Sequence, residues 1–234
     1  MVKPVAERVV WGEGMLVCPQ HLQQHDLFLE HAIHARALWP NPRGWGLAGL
    51  TVDEAGVKTG QLRLHSIRGI LPGGTLLDLQ EGDPSLPNPR VIAEHFSATP
   101  AVVDVYVAVA TAREGAANYM LPEDEGNPSR VTRYGCSTRD VVDLVGAQSE
   151  APVTFARPRP FLMFGNEDRE GYDALKIAEI RRGEGGAFEL TDDYVAPALV
   201  LSAAPPVLRW VRDVLGLMVT KRRALVRALR QVDL

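Results

Sequence analysis

A cysteine and two histidines near the start of the chain have a spacing that zinc sites use. They form the pattern Cys18-x-x-His21-x-x-x-His25, and zinc binds cysteine thiolates and imidazole nitrogens in such short-range pairs. Further ligands would have to be His31 or His34, which lie on other sides of the same predicted helix. One metal ion cannot be reached from several sides of a helix. We therefore expect structural or interface histidines with no metal or other cofactor, and keep a zinc enzyme using His21 and His25 as an alternative.

Other residue types that can take part in catalysis are present, but their spacing does not match the arrangements that known catalytic sites use. The pairs His65-Ser66 and His95-x-Ser97 are near neighbours in sequence, and adjacent side chains on a strand point to opposite faces. There is no G-x-S-x-G nucleophile elbow and no phosphate-loop lysine after a glycine-rich stretch. The acidic clusters Glu123-Asp124-Glu125 and Asp192-Asp193 are typical of solvated loops and turns. We predict no catalytic residues and no enzyme.

The composition indicates a folded protein with an uneven charge distribution. Of the 234 residues, 46% are hydrophobic and 23% charged, values typical of globular proteins with a real core. The net charge of −4 gives no general attraction to nucleic acid or to anionic membranes. Residues 206–234 carry seven basic against two acidic side chains, a net charge of +5, which leaves −9 for the rest. An acidic body with a basic tail predicts two structural units.

The cysteine content and hydropathy predict a cytoplasmic protein. Two cysteines, Cys18 and Cys136, are too few for a disulfide framework and indicate free thiols in a reducing compartment. No apolar region follows the charges of residues 1–8, so we expect no signal peptide. The most apolar stretch, Val195 to Leu208, is short and interrupted by prolines, so we expect no direct membrane insertion.

The histidines lie on a predicted helix over residues 19–38. Pro19 suits its first position, where a missing N–H group is harmless, and the cluster Pro40-Asn41-Pro42 ends it. We predict a strand before it, over Val9 to Val17. The helix has one apolar stripe that we expect to be buried: Leu22, Leu29 and Ile33.

Residues 45–188 change to short apolar runs of period two, with turn residues between them and no helical pattern. This predicts a mainly β fold, an antiparallel sandwich or barrel-like domain, with the N-terminal helix and an amphipathic C-terminal helix. Exposed loops are expected over Gln80–Arg90 and Gly115–Arg130. The predicted strands are Gln61–Leu71 and Thr75–Leu79, joined by Pro72-Gly73-Gly74, then Ala101–Ala110, Phe161–Phe164, and a hairpin of Asp173–Arg181 with Ala187–Leu190.

The last segment has the spacing of a coiled-coil or bundle seam, broken by Arg222. It predicts either a helix folded back on its own domain or a helix that joins several copies. We therefore divide the chain into a shell domain, residues 1–204, and residues 205–234 as the first helix of a truncated helical bundle. The pattern ends without a cap, as if cut. The predicted oligomer seam consists of Leu208, Val211, Leu215, Met218, Leu225 and Leu229.

The stretch from Trp11 to Gln24 resembles the amino-terminal signature of the TssK family of type VI secretion baseplate proteins. That signature is W-x-E-G-M, three variable residues, then P-Q-H-F-Q-Q. This chain has Leu22 where the signature has phenylalanine. Further similar segments keep the order of the family: Gly44-Trp45-Gly46-Leu47, Leu71 to Thr75 with Asp78-Leu79, Tyr172–Ile180 and Asp192–Pro197. We call the residues of this chain that match the signature the signature residues: Trp11, Glu13, Gly14, Met15, Pro19, Gln20, His21, Gln23 and Gln24.

The resemblance implies a non-catalytic adaptor at the cytoplasmic face of the inner membrane. It implies a homotrimer whose shell domain, like the shoulder domain of siphophage receptor-binding proteins, engages the wedge proteins TssF and TssG. Family members are much longer, and the carboxy-terminal head that contacts the membrane complex is expected to be missing here. Gly14 would permit a turn, Pro19 would start the helix, and Trp11 and Met15 would be apolar anchors. The alternative is a stand-alone β-sandwich that binds a carbohydrate or small metabolite.

Overall fold

The computed structural model describes residues 7–96, 102–113, 115–124, 131–146 and 149–232. The chain forms two compact units, Met1–Gly44 and Trp45–Leu234. This division concerns compactness and does not test the domain boundary predicted between residues 204 and 205, which stays a prediction.

The first unit is built on helix α1, Pro19–Leu38, which confirms the predicted helix. Proline occupies its first turn, and the helix ends just before the Pro40 cluster because proline cannot continue it. The strand predicted over Val9 to Val17 is wrong: these residues are irregular, with a turn at Gly14, whose φ is +76°. Their β-branched composition favours an extended chain, but a strand also needs a partner to satisfy its backbone.

The buried stripe predicted on α1 is also wrong, because no residue of this helix is buried. Leu22, Leu29 and Ile33 have 54%, 43% and 67% of their surface exposed. Leu27, on another side of the helix, is exposed as well. The apolar side chains are spread around α1 and leave no single face to pack, so the helix presents them to its surroundings.

The second unit is mainly β, and the predicted fold class is confirmed. The strands of each main sheet run antiparallel to their neighbours. In chain order the helices and strands of its described part are β1 (Gly46–Val52), α2 (Glu54–Lys58), β2 (Gln61–Leu62), β3 (Leu64–Ile70), β4 (Leu76–Leu79), β5 (Arg90–Val91), β6 (Val102–Ala110), β7 (Tyr119–Met120), β8 (Tyr134–Val142), β9 (Glu150–Pro158), β10 (Pro160–Phe164), β11 (Tyr172–Arg182), β12 (Phe188–Leu190) and α3 (Pro205–Val232).

Two sheets form the sandwich, one in the order β1-β3-β4 and the other in the order β10-β6-β11-β12. A pair β2-β5 and a third sheet β7-β8-β9 complete the topology. The predicted hairpins β3–β4 and β11–β12 are confirmed, and β6 follows the strongest predicted strand. The predicted strand Gln61–Leu71 is divided into β2 and β3, and the short helix α2 was not expected.

The core lies between these two sheets. Along β6, Val103, Val105, Val107 and Val109 are all at least 96% buried, while Asp104 and Tyr106 alternate with them on the other face. From the opposite sheet Ile67 and other aliphatic residues close the layer. Each such side chain contributes about 1.5–3 kcal/mol when it leaves water, which makes the sandwich a stable base for the elements that protrude from it.

The turn between β3 and β4 is fixed from the other sheet by a carboxylate. The Gly73 N–H donates to Asp173 Oδ1 at 2.8 Å, and the buried Thr75 hydroxyl lies 3.5 Å from Asp173 Oδ2. A Cβ on Gly73 would come too close to the Asp173 carboxylate, which would have to move away from the turn. Two segments that resemble the family, the glycine turn and the β11 strand, thus meet for a structural reason.

We expect Asp173→Ala to lower the free energy of unfolding by about 1–2 kcal/mol, because it leaves the half-buried Gly73 N–H without its acceptor. Urea unfolding of the purified chain measures this. Asp78→Ala is the matched control, since Asp78 forms an exposed ion pair with Arg68 at 3.5 Å, a kind of pair that contributes about 1 kcal/mol at most. Equal losses in both variants would contradict the role of Asp173.

Candidate partner-binding surfaces

Cys18 and His21 of the signature region cap the start of α1. The Cys18 N–H donates to His21 Nδ1 at 3.1 Å, and the Cys18 thiol lies 2.9 Å from the same nitrogen. This reciprocal capping satisfies backbone groups that a helix start otherwise leaves free. Among the described residues no group of three or more His, Cys, Asp or Glu side chains is placed to hold a metal ion.

Trp11 packs against the histidines of the first helical turns. Its ring centroid lies 6.2 Å from that of His21 and 6.0 Å from that of His25, the latter edge to face. The indole is still 48% exposed. A tryptophan that is held in place yet half exposed is well suited to bind a partner, because little of its conformational freedom remains to be lost.

The other signature residues divide into turn-forming, half-buried and exposed residues. Gly14 has a positive φ, as a tight turn requires, and Met15 is half buried. Their predicted roles in partner binding stay predictions. The exposed signature residues, apart from Trp11 and the glycine, are Glu13, Pro19, Gln20, Gln23 and Gln24.

Helix α3 leaves its apolar side chains exposed. Every residue from Arg209 to Arg227 is exposed, so this part of α3 does not fold back on the sandwich. Within the predicted seam, Leu208 is half buried, and the side chain of Leu229 lies outside the described part of the chain. The remaining seam residues are exposed, by 48% for Val211, 60% for Leu215, and 64% for both Met218 and Leu225.

The segment before α3, which we call the strap (residues 191–204), is hydrogen-bonded to strands of both sheets. At its start the Thr191 N–H donates to the Glu179 carbonyl oxygen at 2.9 Å, and the Tyr194 hydroxyl donates to the Lys176 carbonyl oxygen at 3.0 Å. At its end Ala204 is buried. The first turns of α3 therefore start from a fixed point on the sandwich.

A charged cluster strengthens this attachment. The Lys176 ammonium lies 2.7 Å from Asp104 Oδ1 and 2.6 Å from Glu179 Oε1, with the Tyr194 ring 4.3 Å away. Burial alone would lower the pKa of Lys176, but the two carboxylates raise it above its ordinary value. Burial raises the pKa of Tyr194 to about 12. Neither group exchanges protons near neutral pH, so the cluster is a structural attachment.

The middle of the strap pairs with β1. The Leu47 N–H donates to the Pro197 carbonyl oxygen at 2.8 Å, and the Leu199 N–H donates back to the Leu47 carbonyl oxygen at 2.8 Å. Gly46 has a φ of +130°, and a Cβ there would lie 2.6 Å from the Pro197 oxygen. The family-like segments around Gly46 and Pro197 are thus in direct backbone contact.

The catalytic pairs considered from the sequence have other partners. His65 Nδ1 lies 3.1 Å from Glu81 Oε1, whereas the Ser66 hydroxyl donates to Thr51 Oγ1 at 3.0 Å. The His95 ring stacks on Phe164 with centroids 4.0 Å apart, and its sequence neighbour Ser97 lies outside the described residues. The loop expected over Gly115–Arg130 is only partly irregular, since it contains β7; its residues 125–130 lie outside the described part of the chain.

The buried thiol does not suit redox or nucleophilic chemistry. Burial, with the nearby Glu123 carboxylate, raises the pKa of Cys136, and a thiol that stays protonated is a poor nucleophile.

A cleft of about 430 Å³ lies between β1 and the strap. Its lining contains Arg68, Glu54 and Ser66 but a single aromatic side chain, Tyr194. Sugar-binding sites use aromatic faces to stack on the ligand, and one ring gives little such surface.

Sequence reasoning missed the hairpin of β8 and β9 completely. Its tip carries Leu144 and Val145, which are 97% and 98% exposed. The sequence offers only a weak signal for it, the β-branched pair Val141 and Val142 followed by the turn-forming residues Asp143 and Gly146.

Comparison with known proteins places this chain in a family. The family described as Bacterial Type VI secretion, VC_A0110, EvfL, ImpJ, VasE matches residues 21–234. The type VI secretion system baseplate component TssK1 of Pseudomonas aeruginosa is 33% identical over 220 residues, covering 93% of this chain and 48% of TssK1. This chain belongs to the TssK family.

Solved structures of this family have the same fold. A crystal structure of TssK superposes with a TM-score of 0.83 at 24% identity, covering 96% of this chain and 49% of that one. A TssK–TssF–TssG baseplate subcomplex, solved by cryo-electron microscopy, matches with a TM-score of 0.79 at 20% identity, covering 94% of this chain and 71% of that one.

The chain spans about half the length of TssK1. No helix in the described part of the chain is both long and apolar enough to cross a bilayer.

Proposed function

We propose that this chain is a structural, non-catalytic part of a type VI secretion baseplate that binds the wedge proteins TssF and TssG. The observation that carries the proposal is its likeness, over 94% of its length, to a chain of a structure described as the TssK–TssF–TssG baseplate subcomplex. Its exposed apolar elements support an assembly component, because a protein that acts alone rarely exposes large apolar surfaces.

The signature residues are the wedge contact in this proposal. Trp11 is held by two histidines yet half exposed, and Gln20, Gln23 and Gln24 are exposed on the same first turns of α1 as those histidines. An aromatic anchor surrounded by adaptable polar groups is the usual composition of a binding hot spot.

Helix α3 forms the second surface, a seam between three copies of the chain. Its exposed leucines would pack against the same helix of sister subunits, which removes from water the apolar surface that a monomer exposes. We place the assembly at the cytoplasmic face of the inner membrane, and the link to the membrane complex outside these 234 residues.

The test is co-elution of this chain with TssF and TssG from the same genome on size exclusion at moderate salt. We expect the wild-type chain to form a stable complex. Trp11→Ala should weaken binding by more than about tenfold, because truncating an interface tryptophan typically costs at least about 2 kcal/mol.

Trp39→Ala is the matched control, since Trp39 follows the other end of α1 and is 81% exposed. Its co-elution should equal that of the wild type. Separate elution of well-folded wild-type components would contradict wedge binding by this chain, and an equal loss in both tryptophan variants would contradict the role of the signature.

A further inference from the structure

One arginine occupies a position in the apolar seam of α3. The seam residues Leu215 and Met218 come before Arg222 and Leu225 follows it, so the alternating steps of three and four residues continue through the arginine. At 100° per residue Arg222 lies within about 20° of Leu215 and about 40° of Met218 around the helix. In a trimer that packs this seam, the Arg222 side chain is therefore directed toward the sister helices.

No carboxylate of α3 is placed to neutralise Arg222. The helix has no Asp or Glu from residue 214 to residue 232. The nearest acidic residue along it, Asp213, lies about 13.5 Å away along the helix axis, farther than an extended arginine side chain can reach. Among the described residues no ion pair involves Arg222. Its charge is thus balanced by solvent alone in the single chain, where the residue is exposed.

The residues around Arg222 add further positive charge. Lys221 and Arg223 are its neighbours, and Arg227 lies little more than one turn further along. Three-fold symmetry places equivalent residues of three parallel helices at the same height, so these four residues bring twelve positive charges to one short section of the trimer. Charges of one sign repel each other across such short distances. The proposed trimer therefore needs a counter-charge at this height.

The counter-charge that suits this place is a small oxyanion. A charge that leaves water without a partner weakens an assembly, whereas a guanidinium group forms strong paired hydrogen bonds with the oxygens of phosphate. A tetrahedral oxyanion on a three-fold axis can direct one oxygen to each of three arginines. Packed helices lie about 8–10 Å apart, which leaves space on the axis for an ion and not for a further segment of protein.

We propose that Arg222 of three copies of this chain forms a site for an inorganic oxyanion of the phosphate type on the axis of the trimer. The inference rests on the proposed trimer, because each copy supplies one of the three guanidinium groups. The anion neutralises the seam and also fixes its register. A helix displaced by one heptad would place Arg222 beside Leu215 of its neighbours, where the arginine has no anion to bind.

The first test measures self-association of the full 234-residue chain by sedimentation equilibrium, in chloride buffer with and without phosphate. Ionic strength and pH are held constant, so that general screening of charge is the same in both buffers. We expect about 10 mM phosphate to raise the association constant of the trimer about tenfold, which is the linkage effect of an anion present at about ten times its dissociation constant. An unchanged association constant would overturn the proposal.

Two variants separate the site from the general positive charge of α3. Arg222→Leu completes the apolar seam, so this variant should form the trimer in chloride alone and should not respond to phosphate. Arg223→Leu removes the same charge at a position about 100° further around the helix, outside the seam, and should keep the tenfold response. Both arginines are exposed in the single chain, so neither change disturbs the monomer. Loss of the response in both variants would contradict a site made by Arg222.

The stoichiometry of binding is a second and independent measurement. Isothermal titration of phosphate into the wild-type chain, at a protein concentration where the trimer is populated, counts the bound ions. We expect one phosphate for every three chains, and no binding to Arg222→Leu. One phosphate for each chain would place the ion on a single copy and overturn the proposal.

The outcomes also separate this inference from the proposed function. If the wild-type chain is a trimer that neither binds nor responds to phosphate, the anion site is wrong and the seam stands. If the chain stays monomeric with and without phosphate, both the trimer and the anion site are wrong, while wedge binding is still measured by co-elution with TssF and TssG.

Discussion

Gly46→Ala should lower the free energy of unfolding by about 3–5 kcal/mol. Two costs act together. The φ of +130° is strained for any residue with a Cβ, and that Cβ would lie 2.6 Å from the Pro197 oxygen. Either β1 or the strap must then move, and the paired hydrogen bonds between Leu47 and the strap are lost with it. Urea unfolding of the purified chain measures the loss.

Gly49→Ala is the matched control in the same strand. Its Cβ would meet only the Arg68 Cβ, at 4.0 Å, and its backbone is not in the left-handed region. We expect a change below about 1 kcal/mol, since alanine also restricts the unfolded chain. Equal losses at both positions would show that the strand tolerates no side chain for a reason other than its contact with the strap.

The elements that the sequence predicted well are those whose ends or faces are determined locally. Helix α1 begins at Pro19 and ends before Pro40 because proline acts on the backbone wherever it lies. Strand β6 was predicted from its alternating valines, which the sandwich buries on one face. In both elements the conformation that the local sequence favours is the one that the structure adopts.

The elements that were not predicted from the sequence lack a clear local signal. The β8–β9 hairpin has few buried residues, so no apolar period marks it, and Pro152 weakens its strand pattern. Helix α2 is five residues long, and its start was signalled only by Asp53, whose carboxylate accepts from the Gly56 N–H at 2.9 Å. The apolar stripe predicted on α1 was found exposed because burial depends on a partner surface.

Only part of the candidate site could be predicted from the sequence. The signature residues were recognised by resemblance, and the seam by its spacing. The approach of Gly46 to Pro197 and that of Gly73 to Asp173 join segments far apart in the chain, which no spacing reveals. The structural roles of the segments that resemble the family can be seen only in the fold, where they lie in contact.

Leu215→Asp should convert the proposed trimer into monomers. Leu215 lies in the middle of the seam and is 60% exposed in the single chain, so the monomer tolerates aspartate there. In a trimer three carboxylates would meet in an apolar seam, and an unpaired charge in such a place costs about 3–5 kcal/mol. Sedimentation velocity at micromolar concentration measures the change, and circular dichroism checks that the sandwich is intact.

Thr220→Asp supplies the same charge on the opposite side of α3, about 140° further around the helix. Thr220 donates to the Gly216 carbonyl oxygen at 2.9 Å and lies outside the seam, so this variant should sediment like the wild type. A Leu215→Asp chain that still sediments as the same oligomer would contradict the seam. Loss of the oligomer in both variants would instead show that all sides of α3 are in contact, as in a bundle that surrounds the helix.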